Sequence, residues 1–111
     1  MEVQLAMDIK QYQQYVKEGM SPNYTLEVGL LGLVGETGEV CDVMKKKNIY
    51  PERNIDVNSK MLDEMGDVLW QYCAVLNLVG LDIEEVIKFN VDKLNARHGG
   101  AGKTDSTGGK R

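Results

Sequence analysis

The chain has 111 residues, 42% hydrophobic and 27% charged, with a formal net charge of −4. That is the size of one domain with a modest core, for which burial shared with a second subunit would help. The acidic balance argues against a nucleic-acid partner held by phosphate neutralisation, and it admits a polyphosphate substrate only with a cation to cancel repulsion.

The pattern predicts an all-α chain of four helices. Asp8 caps the first, with Gln11 three residues on, and the helix runs to about Glu18. Ser21-Pro22-Asn23 makes a turn. The second helix covers about residues 25–47, with an apolar stripe of Leu26, Leu30, Leu33, Val34, Cys41 and Met44 at three- and four-residue spacing. Residues 48–58, with Pro51, read as a loop. The third helix covers about residues 59–79 and stops at Gly80, a suitable C-terminal cap. The fourth opens on a capping box of Asp82 and Glu85, with Leu81 stapled onto Val86, and ends near His98. From Gly99 to Arg111 there is almost nothing apolar, which predicts a helical domain over residues 1–98 and a disordered tail over 99–111.

Cys41 and Cys73 form no CxxC pair and sit in helical patterns, so two reduced core thiols and a cytoplasmic setting are expected. The longest uncharged stretch, residues 68–81, is too short and too polar to span a bilayer, and no signal-peptide pattern opens the chain. No membrane partner is expected.

Gly29, Gly32, Gly35 and Gly38 recur every third residue in the second helix. Each costs about 1 kcal/mol relative to Ala in a helix interior. The arrangement predicts close approach of another helix or a ligand along that ridge.

Glu36 and Glu39 are three residues apart, as are Glu64 and Asp67, so each pair projects from one side of its helix. Two such helices packed antiparallel bring four carboxylates together at the margin of the core. Carboxylates at close quarters repel, and burial raises their pKa values further. A hard divalent cation such as magnesium resolves the conflict and commonly bridges carboxylates to phosphates. Spacing alone leaves two solvated acidic faces as an open alternative. On the fourth helix, Ile83, Val86, Ile87 and Leu94 define the expected buried face, with Asn90 and Arg97 in the same sector and Lys93 at its edge. Arg and Lys there suit phosphate, although cations that merely complement the helix dipole would also account for them.

The run Gly32-Leu33-Val34-Gly35-Glu36-Thr37-Gly38-Glu39-Val40, with Lys45-Lys46 beyond it, resembles the first half of the MazG-type signature. Asp63-Glu64-Met65-Gly66-Asp67-Val68-Leu69-Trp70 resembles its second half, and Asn90, Lys93, Leu94 and Arg97 its closing element. Asp8, Tyr12 and Gln13 are similar to the family's opening. The likeness covers about residues 7–98. It implies a four-helix MazG-like bundle that hydrolyses a nucleoside triphosphate to monophosphate and pyrophosphate. By similarity, Glu36, Glu39, Glu64 and Asp67 are catalytic and hold magnesium, with manganese as a substitute and one or two ions per site. Lys93 and Arg97 would hold the phosphates with Asn90 beside them, and Lys46 is a further phosphate candidate. The likeness also implies a homodimer at minimum, with a tetramer built from dimers as the full assembly. Two positions depart from the family. Gln71 stands where many relatives carry an aromatic near the nucleotide, so its amide is a candidate contact to base or sugar, and the preceding Trp70 is a candidate for stacking. Gly35 stands where some relatives have a further glutamate. Two other readings remain: a narrower helical pyrophosphohydrolase of the dUTP, dCTP or phosphoribosyl-ATP type, and a catalytically silent module that binds a nucleotide or a protein.

Overall fold

The structure, a computed structural model, describes residues 6–98. They form four α-helices, α1 (Ile9–Gly19), α2 (Leu26–Ile49), α3 (Val57–Val79) and α4 (Ile83–His98), and contain no strand. The all-α expectation holds; the tail expected over residues 99–111 lies outside the described residues.

Local chemistry sets the boundaries. Asp8 and Gln11 form a reciprocal capping box at α1, with both bonds at 2.8 Å. The Thr25 hydroxyl accepts the Val28 N–H at the start of α2. Helix α2 runs to Ile49, slightly past expectation, and its four glycines do not break it. Asp56 accepts the Ser59 N–H and starts α3 at Val57, earlier than expected, with only a 3-10 turn, Pro51–Arg53, between the two long helices. Gly80 closes α3 in the left-handed region, φ 77°, which costs glycine nothing. At α4 the box is shared differently from expectation. Glu85 reaches back to the Asp82 N–H, but the Asp82 carboxylate takes the N–H of Glu84.

Helices α2 and α3 form the main packed pair. A Cβ on Gly29 would meet Leu78 and Val75, and one on Gly32 would meet Gln71, while Glu36 lies with Glu64 and Asp67. The pair is therefore antiparallel. Close approach accounts for Gly29 and Gly32 only, because Gly35 and Gly38 face open space. The side of α2 turned to α3 carries Gly29, Gly32, Leu33, Glu36, Val40 and Val43. Of the expected apolar stripe only Leu33 shares that side: Leu26, Leu30, Val34 and Met44 are exposed, Val34 by 71%, and so is Cys41. Small residues, not large apolar ones, let these helices come together.

On its other side α3 packs against α1. Val16, Cys73, Ala74, Leu76 and Ile83 form the buried core, with Tyr12, Tyr24 and Trp70 against it. Cys73 is the buried thiol of the expected two. Helix α4 rests mainly on α1, so its expected buried face is only partly covered. Ile83 is buried, Val86 and Leu94 are half-buried, and Ile87 is exposed.

Candidate active site

Midway along the α2/α3 seam, Glu36 from α2 and Glu64 and Asp67 from α3 each place a carboxylate oxygen within 4.8 Å of the others. Glu36 and Glu64 are half-buried and Asp67 is exposed. None of the three joins an ion pair among the described residues. Partial burial, the neighbouring charges of Asp63 and Asp67, and then Glu39 and Glu36 push the Glu64 carboxyl above its ordinary pKa. The donor set fits a hard divalent cation. Magnesium–oxygen distances of about 2.1 Å place two ligands on one ion at most about 4.2 Å apart, a small inward rotation from the spacing here.

Glu39 lies one turn beyond Glu36, exposed and outside that tight trio. With Glu64 it forms a wall of a cleft of about 200 Å³, lined also by Asp42, Val43, Lys46, Ile55 and Lys60. Lys46, a phosphate candidate by sequence, is thus beside the carboxylates. Its ammonium pairs with Asp42 at 2.9 Å, which raises its pKa. Lys60 was not expected. The available signal was its position one turn before Glu64 on α3, which puts both on one side of the helix.

At the other end of the trio, Gln71 is half-buried between α2 and α3, and its side-chain oxygen accepts the hydroxyl of Tyr24. Trp70 turns to the α1 side, edge-on to Tyr24 with centroids 6.2 Å apart and beside Gly19. Its observed role is packing. Asn90, Lys93 and Arg97 are exposed on α4 and are not brought to the carboxylates. Asn90 and Lys93 instead border a largely apolar groove with Leu81, Glu85, Val86 and Phe89.

Fold and site together define a helical protein with clustered carboxylates that could hold a cation. Comparison with known proteins makes the class specific: the family model for the MazG nucleotide pyrophosphohydrolase domain matches residues 25–100. The chain belongs to that family. It is also similar to the Gene 37 protein of Mycobacterium phage L5, 31% identical over 72 residues. The match covers 60% of this chain and 60% of that relative's length. No solved structure matches the chain. No described helix is long and apolar enough to cross a membrane.

Proposed function

We propose that the chain is a magnesium-dependent nucleoside triphosphate pyrophosphohydrolase, releasing the monophosphate and pyrophosphate. The observation that carries this is the convergence of Glu36, Glu64 and Asp67 oxygens from two helices, with no cation paired to them among the described residues. Unpaired carboxylates gathered at partial burial are costly unless a ligand supplies the opposite charge. Bound there, a divalent cation would neutralise phosphate charge and lower the pKa of water near the α-phosphorus. Glu39 would complete the acidic wall from the cleft side. Lys46 and Lys60 offer ammonium groups where the outer phosphates would lie.

Asn90, Lys93 and Arg97 remain candidates for the phosphates on the family resemblance. Because α4 lies on α1 here, that role requires α4, or the α4 of a second copy, to come alongside the carboxylates. A homodimer is supported by the third side of α3, where Leu62, Met65 and Leu69 follow one stripe and are 80%, 52% and 39% exposed. Leu30 and Val34 on α2 are exposed as well. Soluble chains rarely leave such faces bare, and an isologous pairing covers both copies at once.

Turnover of canonical, deoxy and modified triphosphates with magnesium or manganese tests the function. Monophosphate plus pyrophosphate is the expected product pair. Diphosphate plus phosphate, or no release at all, overturns the proposal.

A further inference from the structure

Gln71 is one turn beyond Asp67 on the same side of α3, and Gly32 is one turn before Glu36 on α2. A Cβ on Gly32 would lie 2.6 Å from Gln71 Oε1 and 2.8 Å from its Cδ, so the carboxamide fills the space a larger residue would take. The Tyr24 hydroxyl donates to Oε1 from the segment before α2. With the oxygen taken by Tyr24, the nitrogen, 3.1 Å from the same Cβ position, is the amide's remaining hydrogen-bonding group. Neither N–H of Nε2 has a partner among the described residues, and that nitrogen is not among the sealed, unpaired buried atoms. A half-buried amide whose donors have no partner among the described residues can take an acceptor from a ligand.

The order of groups along the seam says which part of a ligand this is. Lys46 and Lys60 stand at one end, the carboxylates in the middle, and the Tyr24–Gln71 amide at the other. In a nucleoside triphosphate the α-phosphorus likewise lies between the pyrophosphate and the nucleoside. Phosphates are served by the lysines, and the uncharged nucleoside by the amide.

We infer that Tyr24 and Gly32 are positioning residues that hold Gln71 with its N–H donors toward the base, so that the enzyme selects bases presenting a carbonyl oxygen over bases presenting an amino group. Where the amide meets the exocyclic group at C4 of a pyrimidine or C6 of a purine, uracil and hypoxanthine are then favoured over cytosine and adenine, since an amino group there would set donor against donor. This rests on the pyrophosphohydrolase reading above.

The test is the ratio of kcat/KM for UTP over CTP and for ITP over ATP, with magnesium, in the wild type and in Gln71→Leu, Tyr24→Phe and Gly32→Ala. The wild type is expected to prefer the carbonyl-bearing member of each pair by roughly tenfold or more, as an unpaired buried donor costs about that factor. Gln71→Leu removes the preference. Tyr24→Phe frees the amide to turn its oxygen outward, so the ratio falls chiefly through a gain on CTP and ATP. Gly32→Ala displaces the carboxamide and lowers the ratio while circular dichroism shows an intact helical fold. A merely structural role would lower all four substrates together and leave the ratios unchanged. Equal rates on all four in the wild type, or a preference that survives Gln71→Leu, overturns the inference and leaves the pyrophosphohydrolase standing. Absence of pyrophosphate release from every triphosphate overturns both.

Discussion

Two polar regions of this small bundle are built on opposite principles. At the junction of α1, α3 and α4, Gln13 is only 8% exposed, yet its side chain is fully engaged. Its Nε2 donates to Asn77 Oδ1 at 3.0 Å and to the Leu81 carbonyl at 2.8 Å. Its Oε1 accepts the Ile83 N–H at 2.8 Å, capping α4 from another helix, and Asn77 returns a bond to the Gln13 carbonyl. Both donors and the acceptor of the Gln13 amide are used within the fold. On the α2/α3 seam, by contrast, three carboxylates crowd together without an ion pair among the described residues, and one amide has no partner there for its donors. A closed network is architecture, and an open one is where the proposed ligand would find its partners.

The comparison is broken most severely at the seam. Glu39→Gln, Glu64→Gln and Asp67→Asn are each expected to abolish magnesium-dependent pyrophosphate release while far-UV circular dichroism stays helical. Near-wild-type rates in any two would defeat the metal assignment. Glu64 adds a signature in metal-free protein. Its folded pKa lies above the ordinary value, so the folded state holds the proton more tightly than the unfolded state. Its contribution is fully present below the ordinary glutamate pKa and is lost as pH rises through the raised one. Melting temperature should therefore fall over that window in the metal-free wild type. Glu64→Gln should remove that part of the slope and melt higher than wild type at neutral pH.

At the closed junction the same kind of substitution has the opposite consequence. Gln13→Leu strands the Ile83 N–H, the Leu81 carbonyl and Asn77 at partial burial. It is expected to cost about 3 kcal/mol, lowering the melting temperature by roughly 15 °C. Calorimetry checks this, and a shift of only a degree or two would show that water replaces the lost bonds.

The contrast also explains what could be read from the sequence. Helix boundaries were legible because caps are local: Asp8 with Gln11, Thr25 and Gly80 each act within a few residues. The convergence of Glu36, Glu64 and Asp67 was legible because acids at helical spacing on two antiparallel helices share one seam, whereas Glu39 falls outside the trio. Gln13 was not assigned this role, since a single glutamine on a helix has no pattern and its partners lie 64 to 70 residues away. The faces of α2 were misjudged for a physical reason. Periodicity locates an apolar stripe but not what it meets, and here Gly29 and Gly32 let the glutamate-bearing side approach α3 while most of the stripe stays bare. The inward sector expected on α4 failed similarly, because its polar residues are exposed once α4 settles on α1.

That last mismatch can be sharpened by Lys93→Ala and Arg97→Ala. If α4 or its counterpart in a second copy reaches the phosphates during turnover, each should raise KM for the triphosphate about tenfold, the scale of a charged hydrogen bond, with little change in melting temperature. Unchanged kinetics in both would leave these residues as complements to the helix dipole.

The smallest effect tests the glycine ridge itself. Four glycines in one helix each forgo about 1 kcal/mol relative to alanine, yet only two have a neighbour that explains them. At Gly29 an added methyl would sit 2.8 Å from Leu78 Cδ1 and 3.3 Å from Val75 Cγ2, so crowding offsets the gain in helix propensity. At Gly35 and Gly38 it would meet nothing within 4 Å. If the folded chain alone accounts for the ridge, Gly35→Ala and Gly38→Ala should each stabilise by about 1 kcal/mol, raising the melting temperature by roughly 5 °C, with turnover and assembly unchanged. Gly29→Ala should not share that gain. Thermal melts, light scattering and pyrophosphate release on the three variants decide the matter. A loss of the proposed dimer or of triphosphate affinity at position 35 or 38, alongside a higher melting temperature, would show that a second copy or the substrate itself comes close to these glycines, and that the cost in propensity is borne for the complex.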